Sequence, residues 1–251
     1  MFQKGYCCIQ GRELRVVALE DVVEGEVAEV AFISYVNSMD DTFTRLRQHK
    51  GIWYFTCQCP LCLDTEKDKL KHCVQCGHCK ADRPVDTQAW EILGPCSGCK
   101  RSDDPDSKSQ LQKYRHLTEV LTEEGKAEMS YDELAEWALG EMEDVFSERD
   151  ILHLQTSHYV HTVCMNSCRW QAAVMRGEAV LPWFKMYYGS RAGIVAGLLL
   201  RLGQALGHMG DEERAAEMLE EANDIYRVVP GEKHPFYLED FLPIYKKYSD
   251  E

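Results

Sequence analysis

The chain has 251 residues, with 45% apolar and 28% charged content, which is ordinary for a soluble globular protein of one large or two small domains. Its formal charge of −14 is uneven, with 14 basic against 17 acidic residues in 1–108 and 14 against 25 in 109–251. An acidic balance of this size argues against phosphate-backbone binding as the main task, and suits either solubility or a basic protein partner on the acidic C-terminal half. No apolar run is long enough to span a membrane, and the N-terminal stretch lacks the apolar core of a secretory signal. The expected compartment is cytoplasmic, nuclear or both, where twelve cysteines point to metal rather than disulfides.

Along the chain, residues 12–19, "RELRVVAL", alternate as a short strand, with Leu14, Val16 and Ala18 on one face. Residues 27–36, "VAEVAFISYV", are β-branched and aromatic and read as a second strand. Residues 38–48 read as a short helix capped by Ser38 or Asp40. Residues 57–101 hold eight of the twelve cysteines and little apolar periodicity, so metal is the natural source of their stability. "SDDPDSKS", 102–109, is the expected linker. From there the period is helical. Helices are expected over 109–124, 130–147, 151–165, 169–186, 191–208, 212–227 and 235–248, with Pro182 splitting or kinking the fourth. The fold class is therefore α+β and mostly α: a small β portion with Cys-rich segments, then an all-α array. The domains fall at 1–52, 53–101 and 110–251, with the linker between the last two.

Within 202–222, Leu202, Gly203, Leu206, Gly210, Ala215, Leu219 and Ala222 fall at the offsets of a tetratricopeptide repeat. Two antiparallel helices in close contact need small residues where their backbones approach. Gly210 makes the turn, and Leu206 and Leu219 fill the seam. The flanking hairpins match less well, so a degenerate array is expected.

Cys73-x2-Cys76 and Cys96-x2-Cys99 have the spacing of a four-thiolate zinc site. Four thiolates leave no open position, so the site is structural. Cys79 is a spare that could replace Cys76, because "CGHC" is also a C-x2-C pair. His72 and His78 read as bystanders. Cys57, Cys59 and Cys62 supply three more ligands and need a fourth; Cys7 and Cys8 are weak candidates for it. Cys164 and Cys168 read as buried apolar fill. Residues 63–101 carry several lysines and arginines, but six acidic residues interleave with them, which disfavours nucleic-acid binding.

C-x-C-x2-C straight after an aromatic run resembles the post-SET signature of SET-domain lysine methyltransferases. "LRVVALEDVVEGEVAEVAFISY" resembles the last two SET strands, although "EGEVAEVAF" is longer than its counterpart. "TRLRQHKGIWYFTCQCPLC" and "PGEKHP" resemble elements of the SET and MYND branch, in which a helical tetratricopeptide-like domain follows the post-SET zinc. The knuckle region at about 70–101 has no counterpart in that resemblance. The resemblance implies Zn2+ and S-adenosyl-L-methionine as cofactors and methyl transfer to lysine of histone or non-histone proteins. It puts Tyr35 at the active-site tyrosine, Phe55 over the adenine, and Trp53 in the lysine channel, where tyrosine is usual. It implies zinc ligation by Cys57, Cys59 and Cys62, with the fourth ligand in an Asn-His-Ser-Cys segment that is not found before residue 12. The N-terminal SET strands are not found either. The expectation is that these 251 residues are the C-terminal portion of such an enzyme and are inactive alone. The competing expectation is a non-enzymatic zinc-binding, tetratricopeptide-like protein-interaction module.

Overall fold

The computed structural model describes residues 5–10, 13–18, 35–102, 105–122 and 130–249. The described residues are mostly helical with two small antiparallel sheets, as the α+β expectation requires. They fall into two compact units, Met1–Met39 with Cys164–Glu251, and Asp40–Val163.

In the first unit, β1 (Gly5–Gln10) pairs antiparallel with β2 (Glu13–Ala18). The second of these is the strand read from the alternation at 12–19. Most of the strand expected at 27–36 lies outside the described residues, and Tyr35 and Val36 at its end form a bend. The unit continues with α7 (Trp170–Tyr188), α8 (Gly193–Met209) and α9 (Glu212–Tyr226). The helix α7 passes through Pro182 without splitting. Val180, Leu181 and Phe184 are buried on either side of the proline, and that packing outweighs one lost backbone bond.

Between α8 and α9, Gly210 adopts φ 82°, a left-handed cap that lets the chain reverse within two residues. Leu202, Leu206, Ala215, Leu219 and Ala222 are all 0% exposed. A Cβ on Gly203 would stand 2.6 Å from Leu219 Cγ and 3.3 Å from the Ala215 carbonyl oxygen. The repeat-like offsets therefore mark the positions where the helices touch. After α9 the chain forms two π-helical turns, Arg227–Gly231 and Phe236–Phe241, and then α10 (Leu242–Tyr245). The single helix expected at 235–248 is thus replaced by shorter pieces. Tyr226 holds them by edge-on contacts with Phe236 at 5.0 Å and Phe241 at 4.9 Å.

The second unit joins the Cys-rich region to helices. Its order is α1 (Thr42–Ile52), α2 (Pro60–Leu63), α3 (Thr65–Lys69), β3 (Cys73–Gln75), β4 (Asp82–Asp86), β5 (Glu91–Ile92), α4 (Pro105–Thr122), α5 (Tyr131–Met142) and α6 (Ile151–Asn166), whose last residues pass into the first unit. The side chain of Asp41, not of Ser38 or Asp40, caps α1 by accepting from the Thr44 amide at 2.8 Å.

The outer edge of β3 is paired. Gln75 N–H donates to Val145 O at 2.8 Å, and Ser147 N–H to Cys73 O at 2.9 Å. Tyr114 of α4 stacks on Phe146 at 4.3 Å. These bonds tie the cysteine segment to the helices beyond it. The segment 102–109, read as a linker, is where α4 begins, so the compact units divide the chain elsewhere.

Candidate metal centres and aromatic segment

Two short hairpin turns face each other in the Cys-rich region. In the first, Lys80 N–H donates to Cys76 O at 2.9 Å and Cys76 N–H to Ala81 O at 2.9 Å. In the second, Lys100 N–H donates to Cys96 O at 2.9 Å and Cys96 N–H to Arg101 O at 2.7 Å. Lys80 and Lys100 are both left-handed, with φ 57° and 62°. The two Cys-x2-Cys-Lys turns are therefore copies of one another in conformation. They bring Cys76, Cys79, Cys96 and Cys99 together, with all four sulfurs within 4.8 Å of one another.

Sulfur pairs stand 3.6 Å apart for Cys76 and Cys99, and 3.4 Å for Cys79 and Cys96. A tetrahedral zinc with Zn–S near 2.3 Å separates its sulfurs by about 3.8 Å, so the four fit a zinc ion. Backbone N–H groups of Cys99 and Gly98 point at the Cys96 sulfur and hold its pKa down to about 6. Burial works against the Cys76 thiolate, but N–H groups of Cys79 and His78 outweigh it, and its pKa is also lowered.

Cys73 is not in this cluster, and Cys79 takes the place that the sequence reading gave it. The reason is local. Cys73 begins β3, paired with Pro84 across the ladder, and an extended strand carries it away from the turn at Cys76. Its sulfur lies under the carbonyls of Leu70 and Lys69, at 3.5 and 3.8 Å, and burial, with Asp150 nearby, pushes the thiol up to about 12. The signal that separates the two readings is the repeated Cys-x2-Cys-Lys, with Gly98 in the second copy. A Cβ there would meet the Cys79 sulfur at 2.9 Å.

The second centre lies at the end of α1. Trp53 N–H donates to His49 O at 3.0 Å, Tyr54 takes φ 58°, and Phe55 N–H returns to the same carbonyl at 3.4 Å. This hook reverses the chain and places Cys57 near the helix it has just left. One nitrogen of His49 and the sulfurs of Cys57 and Cys62 lie within 4.8 Å of one another. The Cys59 sulfur is not part of this close trio, although its thiol neighbours those of Cys57 and Cys62. Burial, and less strongly the Cys59 thiol, push the Cys62 thiol up to about 11, although the Arg45 guanidinium opposes the shift. His49 carries no recognisable spacing signal. It reaches the cysteines only through the hook.

The aromatic residues of the sequence reading sit as follows. Trp53 is 47% exposed and Phe55 37% exposed, and the Phe55 ring lies 4.7 Å from the His49 ring. Tyr35 is 46% exposed and belongs to the unit containing Met1–Met39. Cys7 and Cys8 lie in β1, opposite Val16 and Arg15. Cys164 is buried as expected of apolar fill, whereas Cys168 is exposed. His72 and His78 are outside both cysteine groups: His78 contacts Arg101, and His72 bridges Asp41 and Tyr114. Among the described residues, no helix is long and apolar enough to cross a membrane.

No protein-family model matches the chain. Curated relatives do. The N-lysine methyltransferase SMYD2 of Homo sapiens is 25% identical over 237 residues, which cover 92% of this chain and 48% of that protein. SMYD2 of Gallus gallus is 23% identical over 223 residues, covering 87% and 46%. SMYD2-B of Danio rerio is 22% identical over 235 residues, covering 92% and 48%. The chain spans about half the length of the curated relatives it matches.

Proposed function

The chain is related to the SET and MYND N-lysine methyltransferases, and from that premise we propose that it forms part of an enzyme that methylates lysine in histone or non-histone proteins. S-adenosylmethionine supplies the methyl group in that reaction. The observation that carries the reading is the hooked aromatic segment Trp53–Phe55, which leads directly into Cys57, Cys59 and Cys62. A methyl-transfer site needs a narrow, dry, aromatic channel, because the lysine amine must be neutral and held in line with the sulfonium.

In this reading Phe55 covers the adenine and Trp53 lines the lysine channel. The Tyr35 hydroxyl orients the amine. Zinc at Cys57, Cys59 and Cys62 holds the segment in place, and a second zinc at Cys76, Cys79, Cys96 and Cys99 stabilises the adjacent hairpins. Trp53 is bulkier than the tyrosine usual at its position and narrows the channel. The helical unit offers the protein substrate an acidic surface, and the compartment is cytoplasmic, nuclear or both. The 251 residues by themselves do not turn over.

Titration calorimetry and photolabelling with radioactive S-adenosylmethionine test the reading. Label on wild-type chain that is lost in Phe55→Ala supports it. Absence of both binding and label favours the alternative, a non-enzymatic module. The charge of α9, with Glu212, Glu213, Glu217, Glu220, Glu221 and Asp224, is the feature that suits such a module for a basic protein partner. Methyl transfer by the isolated chain would remove the claim of inactivity and leave the family reading intact.

A further inference from the structure

Three thiolates do not close a tetrahedral zinc site, which needs a fourth donor. The second centre carries its own fourth donor. We infer that His49 ligates the metal of Cys57, Cys59 and Cys62, making a closed three-thiolate, one-imidazole zinc site built entirely from residues 49–62. The inference rests on the reading that these three cysteines bind zinc.

Three features support it. The first is proximity: a His49 ring nitrogen and the sulfurs of Cys57 and Cys62 lie mutually within 4.8 Å. The Cys59 sulfur lies outside that trio, although it neighbours the Cys57 and Cys62 thiols, so it is the ligand whose side chain must turn inward to complete the set. Among the described residues, the only other group of this kind is the four-cysteine knuckle.

The second feature is the enclosure of His49. It is 5% exposed at the last turn of α1, and its carbonyl holds the N–H groups of Trp53 and Phe55. The Phe55 ring covers its imidazole at 4.7 Å. A ligand whose backbone and ring are both held loses little freedom on binding metal.

The third feature is charge. Zinc with three thiolates and a neutral imidazole has a net charge of −1, whereas four thiolates give −2. Arg45, one turn before His49 on α1, is 2% exposed. Its guanidinium donates to Leu61 O at 3.1 Å and lies close enough to the Cys62 thiol to favour its thiolate. Arg45 is shared with Asp68, 4.0 Å away, so the charge beside the site favours −1 over −2.

The test uses the full 251-residue chain, loaded with zinc or Co2+. Zinc per chain is measured by plasma mass spectrometry and affinity by chelator competition, and the Co2+ form reports its ligands by absorption. Wild type is expected to bind two metals and Cys57→Ser one, which establishes that this centre binds metal at all. His49→Ala should weaken the second metal by at least about 100-fold, more than loss of an outer partner causes. His49→Cys should restore it and strengthen the thiolate-to-cobalt charge-transfer band, and this variant keeps the test decisive if His49→Ala folds poorly. Cys7→Ser with Cys8→Ser should leave both metals bound. The inference is overturned if His49→Ala and His49→Cys hold the second metal with wild-type affinity and an unchanged cobalt spectrum, while Cys57→Ser loses it. A wild type that binds one metal and is indifferent to Cys57→Ser overturns the zinc reading of Cys57, Cys59 and Cys62 as well.

Discussion

The Phe55 amide donates to the His49 carbonyl at 3.4 Å, and the two rings stand 4.7 Å apart. A single residue of α1 thus fixes both the reversal of the chain and the face of the aromatic side chain that follows. Tyr54, left-handed and 86% exposed, bears the strain of that reversal and buries nothing in return. The hook therefore depends on what anchors its far end, the cysteines. Stripping zinc with a chelator is expected to shift the Trp53 fluorescence to the red and to raise its quenching by acrylamide. The Trp53 signal is obtained as the difference between wild type and Trp53→Phe. An identical response of the two proteins would show that metal does not hold this segment.

Cys73 and Cys79 make opposite predictions. Cys79→Ser removes a sulfur from a cluster with two short sulfur contacts, so it should lose the knuckle zinc and lower the unfolding midpoint. Cys73→Ala should keep that zinc and cost about 1 kcal/mol, the ordinary effect of trimming a small buried side chain. Zinc per chain and urea denaturation of the two variants separate the cases. Loss of zinc from Cys73→Ala and not from Cys79→Ser would restore the pairing that spacing alone suggests.

Residues that act through local pattern were legible in the sequence, and residues that act through tertiary reach were not. The long helices follow from apolar periodicity, and the contacts at Gly203, Ala215 and Leu219 follow from the small residues that close helices require. The knuckle was found but misregistered by one cysteine, because Cys73, Cys76 and Cys79 satisfy C-x2-C twice. Strand pairing of Cys73 with Pro84 decided between them, and that pairing is a long-range fact. His49 had no signal in spacing, since its route to Cys57 runs through a left-handed tyrosine. The π-helical turns after α9 depend on Tyr226 packing against Phe236 and Phe241, so periodicity alone could not foresee them.

Gly203 and Gly140 give a matched pair of tests in two helices. Alanine at Gly203 would press on Leu219 and the Ala215 carbonyl, and overpacking of this kind costs about 1–3 kcal/mol. The gain in helix propensity, about 1 kcal/mol, offsets only part of that. Alanine at Gly140 meets nothing within 4 Å and should be neutral or stabilising by up to about 1 kcal/mol. Chemical denaturation of both variants measures the contrast. Equal effects would mean that α8 and α9 are not in close contact at Gly203.

The pair of His72 and Asp41, with ring nitrogen and carboxylate 3.5 Å apart, makes stability depend on pH in a definite direction. Burial disfavours the charged imidazole, but its hydrogen bond to the Asp41 carboxylate and the charges of Asp150 and Asp41 outweigh it, and the His72 pKa is raised. Burial likewise disfavours the Asp41 carboxylate, but hydrogen bonds from His72 and from the Thr44 amide and hydroxyl hold its pKa far below the usual range. A raised histidine stabilises fully below its unfolded value of 6.5, and the contribution is lost as pH rises through the folded value. A depressed carboxylate stabilises above its unfolded value of 3.8, and the contribution is lost as pH falls through the folded value. The pair therefore contributes most between about pH 4 and 6.5. His72→Gln should cost most stability in that window and progressively less toward pH 9. Denaturation midpoints of wild type and His72→Gln from pH 5 to 9 measure this, and comparing the two at each pH cancels the acid sensitivity of the thiolate sites. A wild-type advantage that grows with pH would reverse the sign and refute the assignment of an imidazolium to His72.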